Sequence, residues 1–217
     1  MRETACKALL PGIEPRRYVA ETKVYSMLRP AHVVDLPTLR ALIREGALTR
    51  SFDRELATES REATQFFKNL RQALASGYFV EPDPQTGNLA TFAVLAYIFV
   101  PDHDPTVHRP IGFGIFKAAP IGYELWLTGI DAAWRGHGHG RRMLAELLDT
   151  PPGRKTYLVR MKNFGNDSPA MAHLLGSFGY SSVRETRKLT CYLRRDAPEA
   201  LRIAYTETPP VESRKAG

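Results

Sequence analysis

The chain has 217 residues, 43% of them hydrophobic and 24% charged, the composition of an ordinary globular protein. Its formal net charge of +7 suits an anionic ligand or partner and dictates no fold. The longest apolar run, Ala93 to Val100, is far too short to span a bilayer, and Met1 to Ala20 mixes charges where a signal peptide needs an apolar core. Cys6 and Cys191, the only cysteines, imply neither a disulfide framework nor a zinc cluster, and they fit a reducing cytoplasm.

Residues 1–22 carry Pro11, Gly12 and Pro15 without a clear period and read as an extension. A first strand is expected over 23–29. A helix then follows, capped by Asp35, with a Leu36, Leu39, Leu42, Ile43 stripe and a stop at Gly46. After a loop over 47–54, the spacing predicts one long helix from Glu55 to Ser76, ended by Gly77. Phe66, Phe67 and Tyr78 fit either the core or a groove lining, with core the better fit. A short strand over 78–81 and a turn at Pro82–Asn88 come next, and then strand 89–100, a loop at Pro101–Pro110, strand 111–116, a turn at Pro120–Gly122 and strand 123–130, three successive antiparallel strands. A helix over 140–149, a strand over 156–161, and a helix over 169–178 opened by Ser168-Pro169 follow. That last helix should turn Ala170, Leu174, Leu175 and Phe178 inward and stop at Gly179. Strands 180–185 and 187–193 form a terminal hairpin, and from Asp196 a short helix and a polar tail remain. Strands 123–130 and 156–161, joined through a helix, should lie parallel and splay apart.

Between strand 123–130 and the next helix lies Arg135-Gly-His-Gly-His-Gly140. Alternating glycines let a backbone curl tightly and approach a ligand. A helix starting at once aims its free N–H groups and positive dipole end into that curl, which makes an anion site suited to a pyrophosphate. A dinucleotide fold would need G-x-G-x-x-G near the chain start and an acidic residue about 20 positions on; this loop is G-x-G-x-G and lies past the middle of the chain. The loop Asp102–His108 holds metal-ligand residue types in no ligand spacing, and His137 and His139 should point outward from the glycine curl, so no metal is expected.

Arg135-x-x-Gly138-x-Gly140, with Ile130 before it and an apolar helix after it, resembles the R/Q-x-x-G-x-G/A signature of the GCN5-related N-acetyltransferases. The resemblance runs from about Val24 to Leu193, is strongest over 123–180, and includes the Arg29-Pro30-Ala31 opening and Gly179-Tyr180. It implies an α/β (α+β) fold: a mixed sheet of about seven strands, mostly antiparallel with a splayed parallel central pair, and about four flanking helices. It implies a transferase domain over 23–195 followed by a tail over 196–217. It also implies acetyl-CoA as cosubstrate, held by Thr128, Gly129, Ile130, Arg135, Gly136, His137, Gly138, His139, Gly140, Arg141 and Ser168, with no metal.

Moving an acetyl group from a thioester to an amine requires a neutral amine, a stabilised oxyanion and a leaving thiolate. Glu124, which stands where histone-type members of the family carry their catalytic Glu, is the candidate general base. Flanked by Tyr123, Leu125 and Trp126, it would take up a proton more readily if its cleft were dry. Backbone N–H groups of Thr128 to Ile130 are the oxyanion donors. The family's frequent acid, a Tyr four residues before Gly179, is replaced by Leu175, which leaves Tyr157, Tyr180 and Tyr192 or solvent to protonate the thiolate. The expected partners are acetyl-CoA and an amine acceptor, without a membrane, and a homodimer is compatible. Residues 136–168 hold six basic and three acidic side chains, an excess that the cofactor accounts for in large part. A nucleic-acid-borne amine such as aminoacyl-tRNA, and a coenzyme-A-binding regulatory module without turnover, are the rival readings. Protein N-termini, lysines, small amines and aminoglycosides are all open as acceptors.

Overall fold

The computed structural model describes residues 27–82, 87–101, 109–163 and 168–206. The extension 1–22, the Asp102–His108 loop and the tail beyond 206 lie outside them, as do 83–86 of the Pro82–Asn88 turn and 164–167 of the Asn163–Asp167 loop. Eight strands are described: β1 (Met27–Pro30), β2 (Tyr78–Pro82), β3 (Leu89–Val100), β4 (Gly112–Ala118), β5 (Tyr123–Ile130), β6 (Thr156–Lys162), β7 (Tyr180–Glu185) and β8 (Leu189–Arg194). They run in the order β1-β3-β4-β5-β6-β8-β7, with β2 also on β3. Every pairing is antiparallel except β5 with β6. Six α-helices surround the sheet: α1 (Leu36–Leu48), α2 (Arg61–Ser76), α3 (His139–Asp149), α4 (Pro151–Arg154), α5 (Ser168–Ser177) and α6 (Glu199–Thr206).

Alternation along the strands divides the core between two faces. Ile98, Phe113 and Ile115 meet Leu39, Ile43, Phe67 and Leu70 of α1 and α2 on one face. Phe99, Phe116, Leu125 and Val159 meet Met143, Leu144 and Leu147 of α3 and Leu175 of α5 on the other. Leu158, Cys191 and Leu193 carry α6 through Leu201 and Tyr205.

The strand expected over 23–29 is described from Met27 and runs to Pro30. Asp35 precedes α1 without capping it. Its carboxylate instead accepts from the His32 N–H (2.8 Å) and from both terminal nitrogens of Arg29 (2.9 Å each), fixing the 3-10 turn Val33–Asp35. Gly46 does not stop α1, which continues to Leu48. A Cβ there would stand 2.3 Å from the Phe52 ring, so close packing explains this glycine, and the left-handed turn falls to Arg50 at φ 64°. The long helix expected from Glu55 is broken. A 3-10 turn, Arg54–Ala57, buries Leu56, and α2 starts afresh at Arg61 because the Ser60 hydroxyl accepts from the Ala63 N–H at 3.1 Å. Thr150 similarly caps Pro151-Pro152, which starts the short α4 directly after α3.

The break that matters most lies in β5. Leu127 pairs with Ile115 and Leu125 with Phe116, so Trp126 is an extra residue, a β-bulge. It upsets the expected alternation: Trp126 and Leu127 both pack toward α1 and α2, while Leu125 packs toward α3 and α5. The parallel pairing of β5 with β6 ends at Leu125 and Val159. From Trp126 to Ile130, the β6-facing edge of β5 has no strand partner among the described residues, which is the expected splay.

Candidate active site

The splay opens a cleft of about 860 Å³. One end is formed by Gly136, Gly138, Gly140 and Arg141, the middle by Thr128, Gly129 and Ile130, and the other end reaches Phe66, Glu81 and Lys117. The sequence folds this way locally for three reasons: the bulge bends β5, Asp131 caps the 3-10 turn Ala132–Trp134 through the Ala133 N–H (3.0 Å), and Gly138 takes φ 82° to start α3. Gly138, the N-cap of α3, offers no side-chain cap bond. Among the described residues, the N–H groups of His139, Gly140 and Arg141 meet no acceptor, while the Arg142 N–H donates to the Gly138 carbonyl at 3.1 Å. The positive end of an 11-residue helix therefore borders the cleft, with Gly138, Gly140 and Arg141 in its lining. A diphosphate fits this donor set.

The expected cofactor residues divide by role. Gly136, Gly138, Gly140 and Arg141 line the cleft. Arg141 is steadied by a 3.1 Å bond to the Ser177 hydroxyl and by the Phe178 ring below its guanidinium. His137 is exposed, His139 packs edge-on against Trp134 at 5.3 Å, and neither lines the cleft. Burial, reinforced by His137 and Arg142, holds the His139 imidazole below the usual histidine range. The Arg135 side chain braces the loop: Nε donates to the Ile130 carbonyl (2.9 Å) and Nη2 to Glu45 (2.6 Å). The same Glu45 oxygen also accepts from the Ala132 N–H (3.0 Å), so α1 grips the connection between β5 and α3. Thr128 spends its hydroxyl on the Phe113 carbonyl (2.9 Å), which leaves its backbone to the cleft. Ser168, expected as a helix cap, instead donates its hydroxyl to the Lys162 carbonyl (2.7 Å), tying α5 to the end of β6. Ala170, expected inward, is exposed and faces the cleft.

Glu124 is buried, but not in the unpaired, dry setting expected of a base. Its Oε1 accepts from Arg160 Nε at 2.7 Å and its Oε2 accepts from Arg160 Nη2. That bond holds the Arg160 guanidinium above its already high range, against the opposing effect of burial. Two further pairs lie along the same cleft, Glu81 with Lys117 (3.0 Å) and Asp53 with Lys162. Lys117 Nζ also sits 3.7 Å over the Phe92 ring, beside a cluster in which Trp126 touches Phe66, Phe79 and Phe92.

None of the candidate acids reaches the cleft. Tyr180 is buried and donates to the Thr156 carbonyl at 2.6 Å, and burial pushes its phenol up to about 12. Tyr157 lies under the Arg194 guanidinium, and burial raises the Tyr192 phenol. Of the described residues lining the cleft, none is a tyrosine. Leu175 is fully buried between α5 and the sheet. Sequence reasoning missed Arg160. The available signal was one arginine inside the otherwise apolar run Tyr157–Met161, on the strand expected to lie parallel to that of Glu124.

No family model matches the chain. It is similar to the N-alpha-acetyltransferase RimI of Mycobacterium tuberculosis, 38% identical over 73 residues, a stretch covering 33% of this chain and 43% of that enzyme. In structure it is similar to a GCN5-related N-acetyltransferase from Kribbella flavida (TM-score 0.52, 16% identity, 78% of this chain and 96% of that one). It is also similar to YncA of Salmonella typhimurium, solved with its cofactor acetyl-CoA (TM-score 0.52, 15% identity, 80% and 96%). The fold is that of the GCN5-related N-acetyltransferases, as the residues around Arg135, Gly138 and Gly140 imply.

Proposed function

We propose that the chain is an acetyl-CoA-dependent N-acetyltransferase acting on a primary amine. The observation that carries this reading is one continuous cleft joining the uncapped start of α3 to the opened edge of β5. Acetyl-CoA supplies an acyl group on a thiolate that leaves readily. The amides of His139, Gly140 and Arg141 hold its diphosphate, with the Arg141 guanidinium beside them. The backbone from Thr128 to Ile130 lies where the pantetheine arm and the thioester must pass, and its edge amides stabilise developing negative charge on the carbonyl oxygen. Both oxygens of Glu124 already accept charge-assisted bonds from Arg160. Glu124 therefore anchors Arg160, and the amine's proton passes to water in the cleft. An ordinary thiol ionises near pH 8.5, so the sulfur departs without a dedicated acid. The similarity to an N-alpha-acetyltransferase adds protein N-termini to the acceptors worth assaying.

Calorimetry with acetyl-CoA, followed by thiol release against a panel of amines with mass detection of the products, tests this reading. Saturable binding and amine-dependent thiol release are expected. Binding without release for any amine would mark a coenzyme-A-binding regulatory module instead, and no binding would overturn the reading altogether.

A further inference from the structure

Arg160 stands on β6 where that strand parts from β5, and the manner of its pairing matters more than the pairing itself. Glu124 takes the side edge of the guanidinium, Nε and Nη2. A guanidinium carries five N–H donors in one plane. Three remain, two on Nη1 and one on Nη2, and among the described residues no acceptor meets them. The side chain of Arg160 is 42% exposed and lines the cleft, while its partner carboxylate is only 6% exposed. A buried acid thus fixes an arginine that lines the reaction cleft with three donors to spare. The rotamer freedom that a binding arginine must give up has already been surrendered to Glu124.

A flat pair of parallel donors matches a carboxylate bidentately. It does nothing for an amine that carries no anion, and it repels the ammonium form. The same stretch of cleft is lined by Phe52, Leu56, Phe66 and Trp126, an apolar and aromatic surface. The unused edge and the aromatic lining together select a molecule with an anion at one end and an apolar group branching from it.

We propose that Arg160 determines acceptor specificity and that the acceptor is a free amino acid with a large apolar side chain. Its carboxylate lies on Nη1 and Nη2 of Arg160, its side chain lies against Trp126 and Phe66, and its amine faces the splay. Glu124 is the positioning residue for that guanidinium. The inference rests on the acetyl-transfer reading of the same cleft. The amine nitrogen bonds to the acetyl carbon, the C–S bond breaks with its electron pair going to sulfur, and one amine proton leaves to water, so no further reactant is needed.

The probes are L-phenylalanine, L-phenylalaninamide and phenethylamine, which keep the amine and the ring and differ in the anion. With acetyl-CoA and the full chain, kcat/KM for L-phenylalanine should exceed the other two by at least about tenfold, mainly through KM. With coenzyme A present, calorimetry should show the same order of binding for the wild-type protein. Arg160→Gln should bring the three to within about twofold of one another while acetyl-CoA still binds. Because Arg160→Gln strands a buried carboxylate, Glu124→Gln/Arg160→Gln is the second variant, and it should show the same loss of preference. Equal or better use of the amide or the amine by the wild-type protein would overturn the proposal. So would equal loss for all three probes in both variants, or transfer to other amines with none to L-phenylalanine. Failure to bind acetyl-CoA would instead overturn the acetyl-transfer reading beneath it.

Discussion

Gly138 and Gly140 separate the cost of folding from the cost of binding. Gly138 sits at φ 82°, where a Cβ would meet no atom within 4 Å but the backbone itself is strained for any L side chain. That strain is about 1–2 kcal/mol. For a chain of this size, each kcal/mol lowers Tm by about 2–4 °C, so Gly138→Val should melt about 2–8 °C lower. Gly140 has ordinary helical geometry, and its Cβ would meet only Ile130 Cγ1, at 3.9 Å. Valine there is a better helix former than glycine, so Gly140→Val should melt no lower than the wild-type protein. Both positions line the cleft beside the free amides, and branched side chains there should keep a diphosphate away. Acetyl-CoA affinity should fall at least tenfold in both, about 1.4 kcal/mol. Differential scanning fluorimetry and calorimetry read the two effects independently. Unchanged affinity in Gly140→Val would refute the assignment of the curl, and an unchanged Tm in Gly138→Val would refute the strain argument.

Leu175→Tyr should destabilise the fold by about 1–3 kcal/mol through overpacking between α5 and the sheet, with no gain in single-turnover rate, because the position does not face the cleft; a rate gain above tenfold would show that a phenol there does reach the thiolate. Tyr180→Phe strips the bond to the buried Thr156 carbonyl and should cost about 1 kcal/mol in urea unfolding without altering kcat. The Asp35 carboxyl feels burial, which raises it, but bonds from Arg29 and the His32 N–H prevail and lower it below the ordinary value. Its contribution is therefore complete above about pH 4 and is lost as pH falls through the depressed value. Asp35→Asn should lower stability at neutral pH by roughly 1–2 kcal/mol and flatten the acid limb of the stability curve, as urea midpoints across pH 2–7 will show.

What was legible in the sequence was local. The β5–loop–α3 unit could be read because its signals, alternation, glycines and a helical stripe, all lie within the segment they describe. The helix break at Thr58–Ser60 could not, because no Gly or Pro marks it and Leu56 keeps the apolar period running through the 3-10 turn. Gly46 misled because its reason is a contact with Phe52, beyond the helix in which it sits. The Trp126 bulge stayed hidden because Leu125, Trp126 and Leu127 are all apolar, so the register slip leaves no polar residue on the wrong face. The Glu124–Arg160 pair joins residues 36 apart in sequence and depends on the parallel register of β5 and β6, which periodicity does not specify.

Three ion pairs line the cleft, and their burial ranks what each can do. Asp53 is 70% exposed and Glu81 is 35% exposed, and pairs of that kind contribute roughly 0–1 kcal/mol each. They exchange with solvent at little cost, so they can part when an acceptor enters. Glu124, at 6% exposed, cannot release Arg160 without leaving a desolvated carboxylate behind. The first two pairs are thus adaptable walls and the third is a fixed one. Fixed geometry is what a specificity residue requires, since a donor pair that reorients for each ligand gives up in ordering what it gains in contact. Had Glu124 been the base, burial without a cationic partner would have served it better, leaving an oxygen free to take the proton. The sequence instead places an arginine one residue past the last β5–β6 pairing and two past Leu158, the partner of Glu124, the first position on β6 beyond the paired stretch where a side chain on the Glu124 face can both reach that carboxylate and enter the cleft.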